Sequence, residues 1–218
     1  MKAYNFIIIF FAIIFSTELY AYDDKFLADG FWLQKDDKTN RNVSVIYVYE
    51  PEPDYVSAVV FVPLSDIEKG EVFTPMILCK NCGKGNAYGH EYDYSGGKTK
   101  FQGLEFAWQT KKGDHCAPGS KGPMYDNGAV LNPNDGKYYH LQAQTLENGD
   151  KISVRAYMGW FGKTQYWERL SQEQAEKVKN LCGLTSDDIY PYENKDGDLV
   201  NRELFEECST RDFTKDPL

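Results

Sequence analysis

Short apolar and aromatic runs alternate with turn residues along most of the chain, at 31–34, 43–50, 55–62 and 72–79, then at 101–110, 129–131, 138–146, 152–158 and 164–170. Runs of this length, rich in Val, Ile, Tyr, Phe and Trp, predict strands. Asn134-Asp135-Gly136 and Glu147-Asn148-Gly149-Asp150 supply the left-handed positions that tight hairpins need, so 129–170 reads as an antiparallel meander without helical crossovers. Period-two alternation puts Leu104, Phe106 and Trp108 on an inner face, with Tyr139, Leu141 and Ala143 on the next strand and Ile152, Val154, Ala156 and Met158 on a third. Gln142, Gln144, Ser153 and Arg155 fall on the opposite side. About eight such strands close most simply into an antiparallel barrel, because closure removes exposed edges; a sandwich is the alternative.

The first residues follow a different pattern. Lys2, an apolar run from Phe6 to Phe15 and the small-residue ending Leu19-Tyr20-Ala21 form the three regions of a secretory signal. A membrane-spanning helix needs about 20 apolar residues, and this run stops at Ser16-Thr17-Glu18. Residues 1–21 are therefore expected to be a signal peptide, with the mature protein periplasmic or secreted and without a membrane span. The 33 acidic and 24 basic residues give a formal charge of −9 with no basic stripe, which argues against nucleic acid and anionic surfaces as partners.

A resemblance rests on Gly30-Phe31-Trp32, on Ala129-Val130-Leu131-Asn132-Pro133-Asn134-Asp135-Gly136-Lys137-Tyr138, and on Gly159-Trp160-Phe161-Gly162-Lys163-Thr164-Gln165-Tyr166-Trp167-Glu168-Arg169. These residues resemble a family of small exported bacterial proteins of unknown function, whose fold is a calycin-like, or lipocalin-like, β-barrel. The resemblance implies a mainly β fold over 22–170. It also implies that a basic side chain of the last strand, Arg169, covers the first-strand Trp32 and closes one barrel end. It supplies no catalytic residues. The chain departs from the pattern in a Cys- and Gly-rich insertion around 79–116 and in a tail, 171–218.

Five cysteines enter an oxidising compartment on this reading. Cys79-Lys80-Asn81-Cys82 has the spacing of a redox pair or half a metal site, but it ends a strand and runs into glycines, where no helix dipole lowers a thiol pKa. A bridge from Cys79 or Cys82 to Cys116, pinning 83–116, is expected instead. In the tail, Ser171-Gln172-Glu173-Gln174 is a capping box that starts a short amphipathic helix, and a Cys182–Cys208 disulfide would staple a segment too small to fold alone. Asn194, Asp196 and Glu203 have the spacing of the later part of a calcium loop, yet Tyr192 stands where the first ligand belongs. The alternative there is an Asp-Gly turn capping a helix over 200–208. No cofactor is expected beyond this candidate calcium.

None of the three histidines lies in a nucleophile motif. The function expected is thus non-enzymatic binding of a small, mostly apolar molecule, with Leu104, Phe106, Trp108, Tyr139 and Met158 lining the pocket. A cell-envelope module with a filled barrel, touching an envelope or extracellular protein, is the alternative; a thiol-redox protein using the CxxC pair is third.

Overall fold

The computed structural model describes residues 22–64, 66–68, 72–74, 78–87, 89–96, 99–116, 119–146, 148–182 and 201–215. The expected signal segment and the calcium candidates Asn194 and Asp196 lie outside the described residues. After a 3-10 turn, Asp24–Phe26, come β1 (Gly30–Lys35), β2 (Asn42–Glu52) and β3 (Tyr55–Pro63). Two short hairpins follow, β4 (Asp66–Glu68) with β5 (Val72–Thr74), and β6 (Lys84–Ala87) with β7 (His90–Asp93). Five long strands complete the sheet: β8 (Glu105–Cys116), β9 (Pro123–Asn132), β10 (Lys137–Leu146), β11 (Lys151–Met158) and β12 (Phe161–Leu170). Helices α1 (Gln172–Leu181) and α2 (Arg202–Thr210) end the described chain.

The eight long strands form a closed antiparallel barrel in the order β1-β12-β11-β10-β9-β8-β3-β2. Every neighbour except the closing β1–β12 pair is sequential, so no edge is left over and no crossover is needed. Because the strands run up and down, the β1–β2, β9–β10 and β11–β12 turns gather at one end together with the insertion. The β2–β3, β8–β9 and β10–β11 connections gather at the other, which the N-terminal segment crosses.

Two cores result. One lies inside the barrel and continues through its wall, where the β6–β7 hairpin covers Trp108 and Tyr138. The other lies outside, where Val178 of α1, Phe205 of α2 and Phe213 just beyond α2 pack with Leu33, Val45 and Leu64. Helix α1 begins with the expected reciprocal cap, in which Ser171 Oγ accepts from the Gln174 amide and Gln174 Oε1 from the Ser171 amide. Cys182 and Cys208 are bridged and buried in this second core.

The cysteine expectation for the insertion needs correction. Cys79 bridges Cys82, and Cys116 is free and exposed. The reason is topological: β8 starts near the Cys pair and carries Cys116 to the far end of the barrel, opposite Pro123. A bridge across that length is geometrically excluded.

Candidate functional site

One end of the barrel is sealed by Arg169. Its Nε donates to the Gly149 carbonyl at 2.6 Å, Nη1 to Asp29 O at 2.8 Å, and Nη2 to Leu27 O at 2.6 Å and Lys25 O at 3.2 Å. The guanidinium lies 4.1 Å from the centre of the Trp32 ring. Trp32 is buried and donates its indole N–H to Ala28 O at 2.7 Å. The Ala28 amide in turn donates to the buried Tyr125 hydroxyl. Gly149 has φ +90°, and a Cβ there would sit 2.0 Å from Lys25 O, so only glycine lets the segment cross this closely. Burial pushes the Tyr125 phenol up, and burial followed by repulsion from Glu50 holds the Asp29 carboxyl above its usual range. Asp29 Oδ1 is buried without a hydrogen-bond partner among the described residues.

Above this floor the barrel is hollow. A cavity of about 550 Å³ is walled by inward-facing apolar side chains, among them Ile46, Val56, Val60, Leu141, Ile152 and Val154. Four of the lining positions are small, Ala58, Ala107, Ala143 and Ala156. One wall is polar. Ser44 Oγ donates to Gln34 Oε1 at 2.6 Å, Gln34 Nε2 donates to Gln165 Oε1 at 2.9 Å, and Trp167 Nε1 reaches the same oxygen at 3.3 Å. Gln165 Oε1 is thus saturated, while its amide –NH2 has no partner among the described residues and is left to donate into the cavity. Two residues nearer the mouth on the same strand, Lys163 holds Asp37 at 3.1 Å. Trp167, Gln165 and Lys163 therefore form a strip running from the floor to the rim.

At the rim, the β9–β10 turn and the β11–β12 tip contribute Pro133, Asn134, Met158 and Phe161 to the lining. The Tyr139 hydroxyl donates to Asp135 Oδ2 at 2.8 Å, a bond that pushes its pKa up.

Of the residues singled out from the sequence, Phe106, Tyr139 and Met158 line this cavity, and Trp32 meets Arg169 at the floor. Leu104 and Trp108 do not line it, which corrects the alternation drawn through them. Ala58 pairs with Ala107 and Val59 with Glu105, so Phe106 is an extra, bulged residue, and Gln109 adds a left-handed position at φ 51°. The phase slips by one. Ala107 turns inward and Trp108 outward, where its indole N–H donates to Ala87 O at 3.1 Å beneath the outer hairpin. Leu104, just ahead of the strand, is buried in the wall. Glu203 lies exposed in the first turn of α2, and no cluster of three metal-ligating side chains occurs among the described residues. Gln34, Ser44 and Gln165 were missed because polar residues on an alternating strand read as outward; only the β1–β12–β11 register turns them in.

A closed up-and-down barrel, hollow, open at one end and floored by an N-terminal segment locked beneath an Arg–Trp pair, is a calycin-like, lipocalin-like barrel. The chain belongs to the family of uncharacterised proteins conserved in bacteria (DUF2147), whose pattern matches residues 30–169. Among solved structures, protein HP1028 from the human pathogen Helicobacter pylori, described as belonging to the lipocalin family, is 19% identical; the match covers 71% of this chain and 90% of that one, with a TM-score of 0.48. No curated protein is significantly similar to this chain.

Proposed function

We propose that this protein is an exported, non-enzymatic carrier that holds one small, mostly apolar molecule inside its barrel. The observation that carries this reading is the cavity. Its volume of about 550 Å³ falls in the range of about 300–1,000 Å³ usual for small-molecule sites, and its walls are mostly apolar, with a polar strip on one side and Ser57 and Thr110 elsewhere. Eight-stranded barrels are just wide enough to be filled by their own side chains, so space of this size follows from small lining residues such as Ala58, Ala107, Ala143 and Ala156.

The strip defines the polar end of the ligand. The free Gln165 amide donates, so a carbonyl, hydroxyl or carboxylate oxygen on an otherwise apolar molecule matches it, while the charge of Lys163 at the rim is already met by Asp37. The envelope-module alternative drew on a filled barrel and loses that support here. The thiol-redox alternative loses support too, since the bridged Cys79 and Cys82 are buried and followed by a strand rather than by a helix whose dipole would lower a thiol pKa.

Native mass spectrometry of the protein, purified without reductant or chelator and compared with its denatured mass, is the direct test. An extra mass lost on denaturation, displaced by an apolar naphthylamine probe, is the expected result. A bare protein that also fails to take up the probe would sink the carrier reading.

A further inference from the structure

The rim of the cavity carries the two most exposed large apolar side chains among the described residues, and a third that is half exposed. Trp160 is 96% exposed, Phe161 84% and Met158 55%, and all three sit at the tip of the β11–β12 hairpin. The other tryptophans, Trp32, Trp108 and Trp167, are buried. Met158 pairs with Phe161, leaving Gly159-Trp160 as a two-residue turn with Gly159 at φ 58°. Glycine at the first position of such a turn matches strand twist, so the sheet pairing runs to the tip and holds the two aromatic rings out on a stiff support. Met158 and Phe161 also line the cavity. The apolar surface is therefore continuous from the barrel interior, over the rim, to the outermost residue.

We propose that this tip inserts into the interfacial layer of a lipid bilayer and sets the cavity mouth against the membrane. Area argues for lipid over a second copy of the chain. Trp and Phe each offer roughly 150–250 Å². Even doubled across a two-fold axis this gives about 600–1,000 Å², short of the roughly 1,200–2,000 Å² of a stable protein interface. Shape argues the same way, since a convex two-residue projection suits a fluid medium and needs no complementary pocket. Tryptophan prefers the boundary between headgroups and acyl chains, with its ring in the apolar layer and its N–H hydrated. The net charge of −9 gives no attraction to anionic headgroups, so the contact is apolar and the appropriate surface is zwitterionic. If the barrel is a carrier, its cargo then enters from the lipid phase without crossing water; this last step rests on the carrier reading, and the docking does not.

The test uses the full purified protein with phosphatidylcholine vesicles. Co-sedimentation, a blue shift of the emission and quenching by brominated-chain phosphatidylcholine are expected, the last two reporting Trp160 because its three companions are already buried. Trp160 is solvent-exposed and lies outside the cavity lining, so W160S keeps the wild-type melting temperature and probe uptake but lowers vesicle partitioning at least tenfold, by about the transfer free energy of its side chain. A cavity-filled A143F/A156F variant keeps vesicle binding and loses the probe, so failure of docking and failure of the carrier reading give different results. The proposal is overturned if wild type does not co-sediment, if binding requires phosphatidylglycerol and disappears with salt, or if W160S partitions like wild type. Loss of self-association in that variant, with no vesicle binding by wild type, would assign the tip to a protein contact instead.

Discussion

Arg169 is expected to matter through the shape of its guanidinium more than through its charge. Its four donor contacts end on the carbonyls of Gly149, Asp29, Leu27 and Lys25, three of them at 2.8 Å or less, and its plane covers Trp32. Hydrogen bonds from a charged donor contribute about 1.5–3 kcal/mol each, and they are not additive around one group. The ring contact adds about 1–2 kcal/mol where partly desolvated. Arg169→Met keeps the aliphatic stem but leaves these carbonyls without a donor, for a net loss of about 3–5 kcal/mol after water replaces some contacts. For a chain of this size that lowers the melting temperature by roughly 8–16 °C. Arg169→Lys is the sharper variant. A lysine ammonium keeps the charge over the indole but is compact and cannot reach carbonyls on both the N-terminal segment and the β10–β11 turn, so more than half of the loss should remain. Thermal and urea unfolding of both variants measures this, and a Trp32→Phe cycle with Arg169→Met should return a coupling of about 1 kcal/mol. If Arg169→Lys unfolds within about 0.5 kcal/mol of wild type, the fork does not hold the floor and the argument fails.

Two further outcomes follow from the second core and the floor. Cys182 and Cys208 are 26 residues apart, so C182S/C208S should lose about 3.5 kcal/mol of unfolding free energy by loop-closure entropy, seen in urea titration, while probe uptake in the barrel persists. Asp29 should respond to pH. Its carboxyl is raised in the folded protein by burial and then by Glu50, so its favourable contribution is complete below the unfolded value of 3.8 and is lost as pH rises through the folded value. Asp29→Asn should therefore melt higher than wild type at neutral pH, with the gap closing in acid; a gap that widens on acidification would contradict this reading.

The meander 129–170 was legible because Asn-Asp-Gly and Asn-Gly turns bracket strands whose alternation is unbroken, and the observed register pairs Leu141 with Ala156 and Ala143 with Val154 on the inward face. Strand β8 was not, because a bulge at Phe106 and a left-handed Gln109 are settled by the neighbouring strands, and nothing in Glu105-Phe106-Ala107-Trp108 signals them. The outer hairpin escaped notice for a different reason. Lys84-Gly85-Asn86-Ala87 has no β-branched or aromatic residue, and it pairs only because Tyr92 beside it stacks on Tyr138 and Trp108 of the barrel wall. The tail helix expected over 200–208 is described over Arg202–Thr210, with its apolar face set by Phe205 and Cys208 against the barrel. Arg169 over Trp32 came from resemblance, since no local pattern links the first strand to the last.

Whether the space in the barrel is built or merely left over can be decided by filling it. Period-two alternation says which side chains face inward but not how far they reach, so Ala143 and Ala156 read simply as inner-face residues in the sequence, and only in the closed barrel, together with Ala58 and Ala107, do they become walls of a cavity. Ala143 and Ala156 lie on adjacent strands, each paired with an inward residue of the other. Phenylalanine at both positions extends into empty apolar space. If the hollow is kept for a ligand at the expense of stability, A143F/A156F should unfold at the wild-type temperature or higher while probe affinity falls at least tenfold, because apolar area is buried without displacing neighbours. If instead the four alanines are needed to avoid clashes, the same change forces off-rotamer side chains and costs about 1–3 kcal/mol. Opposite signs for stability and binding mark a site, and a parallel loss of both marks a core already packed to capacity.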